Sequence, residues 1–194
     1  MTKARLEAFS DGVIAILITI MVLELHVPHE ASWSALQPLM PVFLTYVLSY
    51  VLLGIYWNNH HHMMHAADRI NGKVLWANLH LLFWLSLIPF VTGWMGQNHF
   101  AALPSAAYGL VMLFAAIAYY ILAHNLVAAQ APGARLEKAL GRDVKGRASI
   151  AFWVIGVVLA FVNQWIAVAI YVAVALMWLV PDSRMEKRSE RQAH

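Results

Sequence analysis

The chain contains no cysteine, and only 12% of its 194 residues are charged. The first absence removes a disulfide scaffold, a thiolate metal site and a cysteine nucleophile. The second weighs more. A soluble domain carries about 25% charged and about 45–50% apolar residues, whereas here 61% of the chain is hydrophobic. So little charge cannot cover a water-exposed surface at this length, which excludes a water-soluble globular enzyme. Disorder is excluded too, because 12% of the residues are aromatic. Two channel devices are also missing. There is no TVGYG run, Val91-Thr92-Gly93 being the nearest approach, and no span carries the repeated arginines of a voltage sensor. No internal repeat is visible. The net charge of +3 is mild, and the placement of the cations argues against a nucleic-acid partner. What remains is an all-α, multi-pass membrane protein.

A span needs about 20 largely apolar residues to cross about 30 Å of hydrocarbon. Such stretches lie at about 6–25, 36–57, 74–95 and 103–129, followed by an apolar run from about 149 to 180 that is interrupted only at Asn163-Gln164. Charge decides whether that run is one helix or two. All 13 lysines and arginines fall in four places. Lys3 and Arg5 precede the first span, and Arg69 and Lys73 separate the second from the third. Arg135, Lys138, Arg142, Lys145 and Arg147 follow the fourth, and Arg184, Lys187, Arg188 and Arg191 close the chain. Segments 26–37 and 96–103 carry none. With a hairpin at Asn163-Gln164, giving short spans at about 149–162 and 165–180, every cation lies on one side, which the positive-inside rule makes cytoplasmic. The expectation is therefore a six-helix domain over residues 1–181 with both termini cytoplasmic in a cell (inner) membrane, and a polar tail over 182–194. Glu7 and Asp11 interrupt the first apolar run, so it reads as an uncleaved span rather than a signal peptide.

Chemistry concentrates in the first span. With Ile16 at zero on a wheel of about 100° per residue, Val13 falls at about 60°, Ile20 at about 40°, Leu23 at about −20° and Val27 at about 20°. These branched side chains form one stripe, with Thr19 on its flank. Asp11 falls almost opposite, so it cannot share the surface that Ile16, Ile20 and Leu23 present. An ionisable group within a span normally has a partner. Glu7, at i−4, has the same sign, which leaves another helix as the source; Trp57, Asn58, His60 and Asn78 are the polar candidates. The ordinary use of such a stripe is lipid or helix contact, and the ordinary place of such an aspartate is among the headgroups at a helix end.

Arg5-Leu6-Glu7-Ala8-Phe9-Ser10-Asp11-Gly12 resembles the RxxxFSD signature of the transmembrane protein 175 family of potassium channels. Ala15-Ile16, Thr19 and Leu23-Glu24-Leu25 are similar as well, as are Trp57 with His60, Asn78, and Pro89-Phe90. The likeness is sharpest over the first three spans; the last three match as hydrophobic segments. The resemblance implies six helices per subunit, assembly as a homotetramer, and a pore lined by the first helix of each subunit. It implies a narrow apolar constriction in place of a carbonyl ladder, with Ile16, Thr19, Ile20 and Leu23 as the constriction and selectivity residues. It also implies a signature network in which Ser10 and Asp11 hydrogen-bond with Trp57, His60 and Asn78, Phe9 belongs to the motif, and Arg5 stands near the inner mouth.

An ion crossing an apolar ring must shed water or wait for the ring to wet, and potassium sheds water more easily than sodium. At the outer end, Glu24 and Glu30 are the acidic residues on a side without lysine or arginine, and four copies would make a cation-concentrating vestibule. The expected function is a passive, potassium-selective cation channel with monovalent cations as its partners, no cofactor and no catalytic chemistry. A secondary transporter is the first alternative, although its pair of broken helices is missing and Pro89 alone interrupts a span. The second is a metal-dependent membrane enzyme built on His60-His61-His62-Met63-Met64-His65, where His61 and His65 stand at i and i+4. The ordinary reading of that cluster is a juxtamembrane end of the second span with His60 structural, and imidazole titration near neutral pH offers a milder role.

Overall fold

A computed structural model describes residues 2–132, 134, 136–137 and 143–179, and every regular element among them is helical. Helix α1, Lys3–Met21, runs on into a 3₁₀ turn at Val22–Glu24. Its buried residues are Leu6, Ser10, Ile14, Leu17 and Met21, a spacing of three and four that marks one helical face. After an irregular stretch comes the short α2, Trp33–Leu36, whose first turn is capped by the Ser32 hydroxyl accepting the Ala35 N–H at 3.3 Å.

Helix α3, Met40–Ala66, is 27 residues long and carries Pro41 in its first turn, where a missing N–H costs nothing. At 1.5 Å per residue it is about 40 Å long, well beyond the hydrocarbon. It runs nine residues past the expected end of the second span. No glycine or proline stands between Ile55 and Ala66 to stop it, and its last turns pack on α1. The histidine cluster is therefore helical.

The third apolar stretch is two helices, α4 (Gly72–Ser86) and α5 (Ile88–Gln97), broken at Leu87. Pro89 has no N–H to give the Leu85 carbonyl, so the ladder is interrupted there; the Leu87 N–H reaches Trp84 O at 3.2 Å instead. Past α5, His99 (φ 50°) and Phe100 (φ 60°) are left-handed. The Phe100 N–H closes back on Met95 O at 3.0 Å, a turn that reverses the chain into α6, Ala102–Ala129. Helix α7, Val144–Leu159, is capped by Asp143 Oδ1 accepting the Gly146 N–H at 2.8 Å, and it turns at 160–163 into α8, Gln164–Leu179. The cations Arg135, Lys138 and Arg142 and the tail 182–194 lie outside the described residues.

Four of the described stretches are long and apolar enough to cross a membrane: Lys3–Glu24, Trp33–Ala66, Gly72–Gln97 and Ala102–Ala129. α8 is a shorter apolar helix. α6 is the centre of the bundle, packed on α4, α5, α7 and α8. Small residues let neighbours come close. Tyr171 of α8 lies between Gly109 of α6 and Gly156 of α7, where any Cβ would collide with its ring or hydroxyl, and it donates to Ser105 O at 3.1 Å. The pairing of Ser149 with Trp178 and of Gly156 with Tyr171 makes α7 and α8 an antiparallel hairpin. Deeper in, Ser49 of α3 meets Thr92 of α5 at 2.6 Å and Tyr108 of α6 at 3.1 Å, all buried.

The ends of the helices fall together. Lys3 at the start of α1 donates to His65 O near the end of α3 at 3.2 Å. Gln130, just past α6, accepts from the Asp68 and Arg69 N–H groups at 2.9 and 3.1 Å and donates to Arg69 O at 2.9 Å, clamping the α3–α4 loop. Among the described cations, Lys3, Arg5, Arg69 and Lys73 thus share one end of the bundle.

Candidate functional site: the anchored first helix

Helix α1 is tied down along two lines. The first joins it to α3. Asp11 Oδ1 accepts the Trp57 indole N–H at 3.0 Å, Glu7 Oε1 stands 3.2 Å from His61 Nδ1, and Lys3 reaches the His65 carbonyl. Each step is four residues on both helices and the order runs in opposite directions, so two antiparallel helices share one register. The Trp57, His61 and His65 rings stack in sequence at 6.1 and 6.2 Å.

The second line is buried. Ser10 donates to Leu6 O at 2.9 Å and accepts from Asn78 Nδ2 at 2.9 Å, while Asn78 Oδ1 stands 2.8 Å from His60 Nε2. Because the Asn78 amide nitrogen is committed to Ser10, its oxygen must accept, so His60 carries its proton on Nε2. Ser10, His60 and Asn78 are all at 0% exposure. His60 Nδ1 has no hydrogen-bond partner among the described residues. Three helices meet in this chain of bonds: α1, α3 and α4.

Other signature residues stand apart. Arg5 is exposed, and Phe9 is about half exposed at 48%. Neither enters the two lines of contact.

The opposite face of α1 is bare. Ile16 is 57% exposed, Ile20 43% and Leu23 75%, against 1% for Ile14 and Met21 on the packed side. Thr19 shares the bare face, its hydroxyl turned onto the helix's own Ile16 O at 2.9 Å. Of the two acidic residues beyond it, Glu30 is exposed, whereas Glu24 accepts from Gln97 Nε2 at 3.1 Å and its carboxylate lies against Gly93. Gln97 was not among the residues singled out from the sequence; the signal for it was the amide pair Gln97-Asn98 just past the third stretch. His61 and His65 spend one ring nitrogen and one carbonyl, respectively, on α1. Among the described residues no group of three or more His, Asp or Glu is placed to hold a metal ion.

Four stretches long and apolar enough to cross a membrane, with buried polar contacts at the seams between them, define a multi-pass helical membrane protein. A potassium channel of Chryseobacterium sp. (strain P1-3) is 52% identical over 187 residues, covering 96% of this chain and 97% of that one. The family described as endosomal/lysosomal potassium channel TMEM175 matches residues 5–89. The crystal structure of a lysosomal potassium-selective channel TMEM175 homolog from Chamaesiphon minutus superposes with a TM-score of 0.80 at 26% identity, covering 92% of this chain and 96% of that one. The endosomal/lysosomal proton channel TMEM175 of Homo sapiens is 32% identical over 96 residues, which cover 43% of this chain and 19% of the human protein. The chain belongs to the TMEM175 family.

Proposed function

We propose that this protein is a potassium-selective channel of the cell membrane that conducts passively as a homotetramer, its pore lined by α1 of each subunit. The observation that carries this reading is the division of α1. One face is held by Ser10, Asp11 and Glu7 against α3 and α4, and the other leaves Ile16, Ile20 and Leu23 43–75% exposed among the described residues. Kinship with a relative named as a potassium channel over nearly the whole length supports the same reading.

In that assembly α1, α3, the α4–α5 pair, α6, α7 and α8 are the six spans, and both termini are cytoplasmic with the cations. Four copies of the bare stripe form the constriction. A ring of branched apolar side chains offers an ion no replacement for its water, so conduction requires partial dehydration or widening of the ring. Potassium loses water at lower cost than sodium and passes more readily. Thr19 contributes the one polar group on the stripe, and Glu24 with Glu30 forms the outer vestibule. No group on this path performs catalysis or needs a cofactor.

Reversal-potential measurement on protein reconstituted in a planar bilayer, with potassium on one side and sodium on the other, tests the proposal. The expected reversal lies toward the potassium equilibrium potential. A reversal at zero, or a saturating flux that requires a counter-substrate, refutes it.

A further inference from the structure

The bare face of α1 does not stop at Ile16. With Ile16 again at zero on the wheel, Phe9 falls at about 20°, Arg5 at about −20° and Gly12 at about −40°. The packed residues Leu6, Ser10, Ile14, Leu17 and Met21 fall between about 80° and about 160°. Exposure follows the wheel: Arg5 and Gly12 are exposed and Phe9 is 48% exposed, against 1% for Leu6. At about 1.5 Å of rise per residue, Phe9 stands about 10 Å and Arg5 about 16 Å from Ile16, toward the end of the bundle where Lys3, Arg69 and Lys73 gather. A Cβ added at Gly12 would meet nothing within 4 Å, so the stripe has a gap between Phe9 and Ile16.

Charge along this half of the helix is divided in the same way. Lys3, Glu7 and Asp11 are spent on α3, through His65 O, the His61 ring and the Trp57 indole. The Arg5 guanidinium makes no hydrogen bond or ion pair among the described residues. A guanidinium is always charged, and a charge beside acyl chains is costly. Arg5 therefore marks the azimuth of Ile16 as one that opens to water at its inner end.

We propose that these residues line the cytoplasmic half of the conduction path, with Phe9 as a second apolar ring in series with Ile16 and Arg5 as a positive ring at the inner mouth. Gly12 leaves a wider chamber between the two apolar rings. The proposal rests on the reading of α1 as the pore helix. A ring of guanidinium groups lowers the local potassium concentration at the cytoplasmic entrance, while Glu24 and Glu30 raise it at the outer one. Both rings act in the same sense, so inward current exceeds outward current at equal driving force. The first helix then rectifies as well as filters.

The chain has no cysteine, so a single-cysteine variant carries one reactive thiol per subunit. Inside-out membrane patches present the cytoplasmic side to 2-(trimethylammonium)ethyl methanethiosulfonate, a thiol reagent that leaves a bulky cation on the sulfur. It should lower the potassium conductance of Phe9→Cys by about twofold or more, since each modification adds a positive charge to the ring. The parent chain and Leu6→Cys, whose thiol faces the packed side, should not respond. Ile20→Cys, treated from the outer side in outside-out patches, tests the pore helix itself. Block of Ile20→Cys without block of Phe9→Cys overturns the inner lining and leaves α1 as the pore; block of neither removes both. Block of Leu6→Cys equal to that of Phe9→Cys also overturns the proposal, because the packed face would then line the path. Arg5→Gln should raise outward relative to inward current by about twofold or more at about 10 mM salt, where the Debye length is about 30 Å, and change it little at about 1 M, where it is about 3 Å. An unchanged current ratio at low salt, or an equal change at both salts, overturns the positive ring.

Discussion

Replacing Asn78 by alanine removes the residue through which α4 holds both α1 and α3. Two bonds go at once, the one it donates to Ser10 at 2.9 Å and the one it accepts from His60 at 2.8 Å. Interhelical hydrogen bonds in membrane proteins are worth on average about 0.6 kcal/mol each, so the pair accounts for about 1.2 kcal/mol. The larger share comes from what is left behind. His60 is fully buried and its Nδ1 already lacks a partner among the described residues; with Asn78 gone its Nε2–H loses its partner too. A buried donor left without a partner costs about 1–3 kcal/mol. The expected loss is therefore about 2–4 kcal/mol, a fall of at least tenfold in the folded-to-unfolded ratio. It is measurable as an unfolding equilibrium in mixed micelles. A double-mutant cycle with Ser10→Ala should show a coupling of at least about 0.5 kcal/mol, since the two side chains share a bond. An Asn78→Ala variant within about 0.5 kcal/mol of the parent, or strict additivity with Ser10→Ala, would refute the idea that this bond chain holds the first helix.

Three further outcomes follow from the same structure. Ile16→Asn should wet the constriction and raise sodium relative to potassium permeability; an unchanged reversal potential under bi-ionic conditions would mean that the stripe faces something other than ions. Gly96→Ala should destabilise, because its Cβ would stand 2.7 Å from the Val42 Cα and 2.6 Å from Thr45 Oγ1; overpacking of about 1–3 kcal/mol outweighs the gain in helix propensity of about 1 kcal/mol or less. Gly12→Ala, with open space around its Cβ, is the control, expected neutral or stabilising in the same unfolding assay. Combining Glu24→Gln with Glu30→Gln should lower conductance at low salt and leave it nearly unchanged at high salt, where the vestibule is screened; equal conductance at low salt would remove the vestibule from the mechanism. Gln97 can still pair with glutamine at position 24, so folding is not expected to suffer.

Much of the anchored helix was readable before any coordinates. The absence of charge from apolar stretches marks the spans. A wheel separates Ile16, Ile20 and Leu23 from Asp11, because helical periodicity is a local property. Asn78 stands out by residue type, as a polar group in an apolar stretch, and Trp57 and His60 by opening the polar run at the end of the second span. Local pattern does not say which atom bonds to which. Asp11 takes Trp57, whereas Asn78 turns to Ser10, on the neighbouring position but a different face, and His60 to Asn78. Nor does it reveal the Glu7–His61 and Lys3–His65 contacts, which exist because α3 continues to Ala66 and lies antiparallel to α1. Glu24 reads as a free vestibule charge until α5 brings Gln97 beside it.

The sequence by itself determined the solvent this chain lives in, because that follows from composition, and its order along the chain predicts one side for the cations. Charge is too scarce for a water-facing surface, and every lysine and arginine avoids two of the loops. It also determined that α1 has two unlike faces. Only the tertiary structure decided which face is held and which is left bare, since that depends on residues 46 to 68 positions away along the chain and on glycines that let the helices approach. Periodicity reports what a helix offers; the neighbours it meets decide what is used.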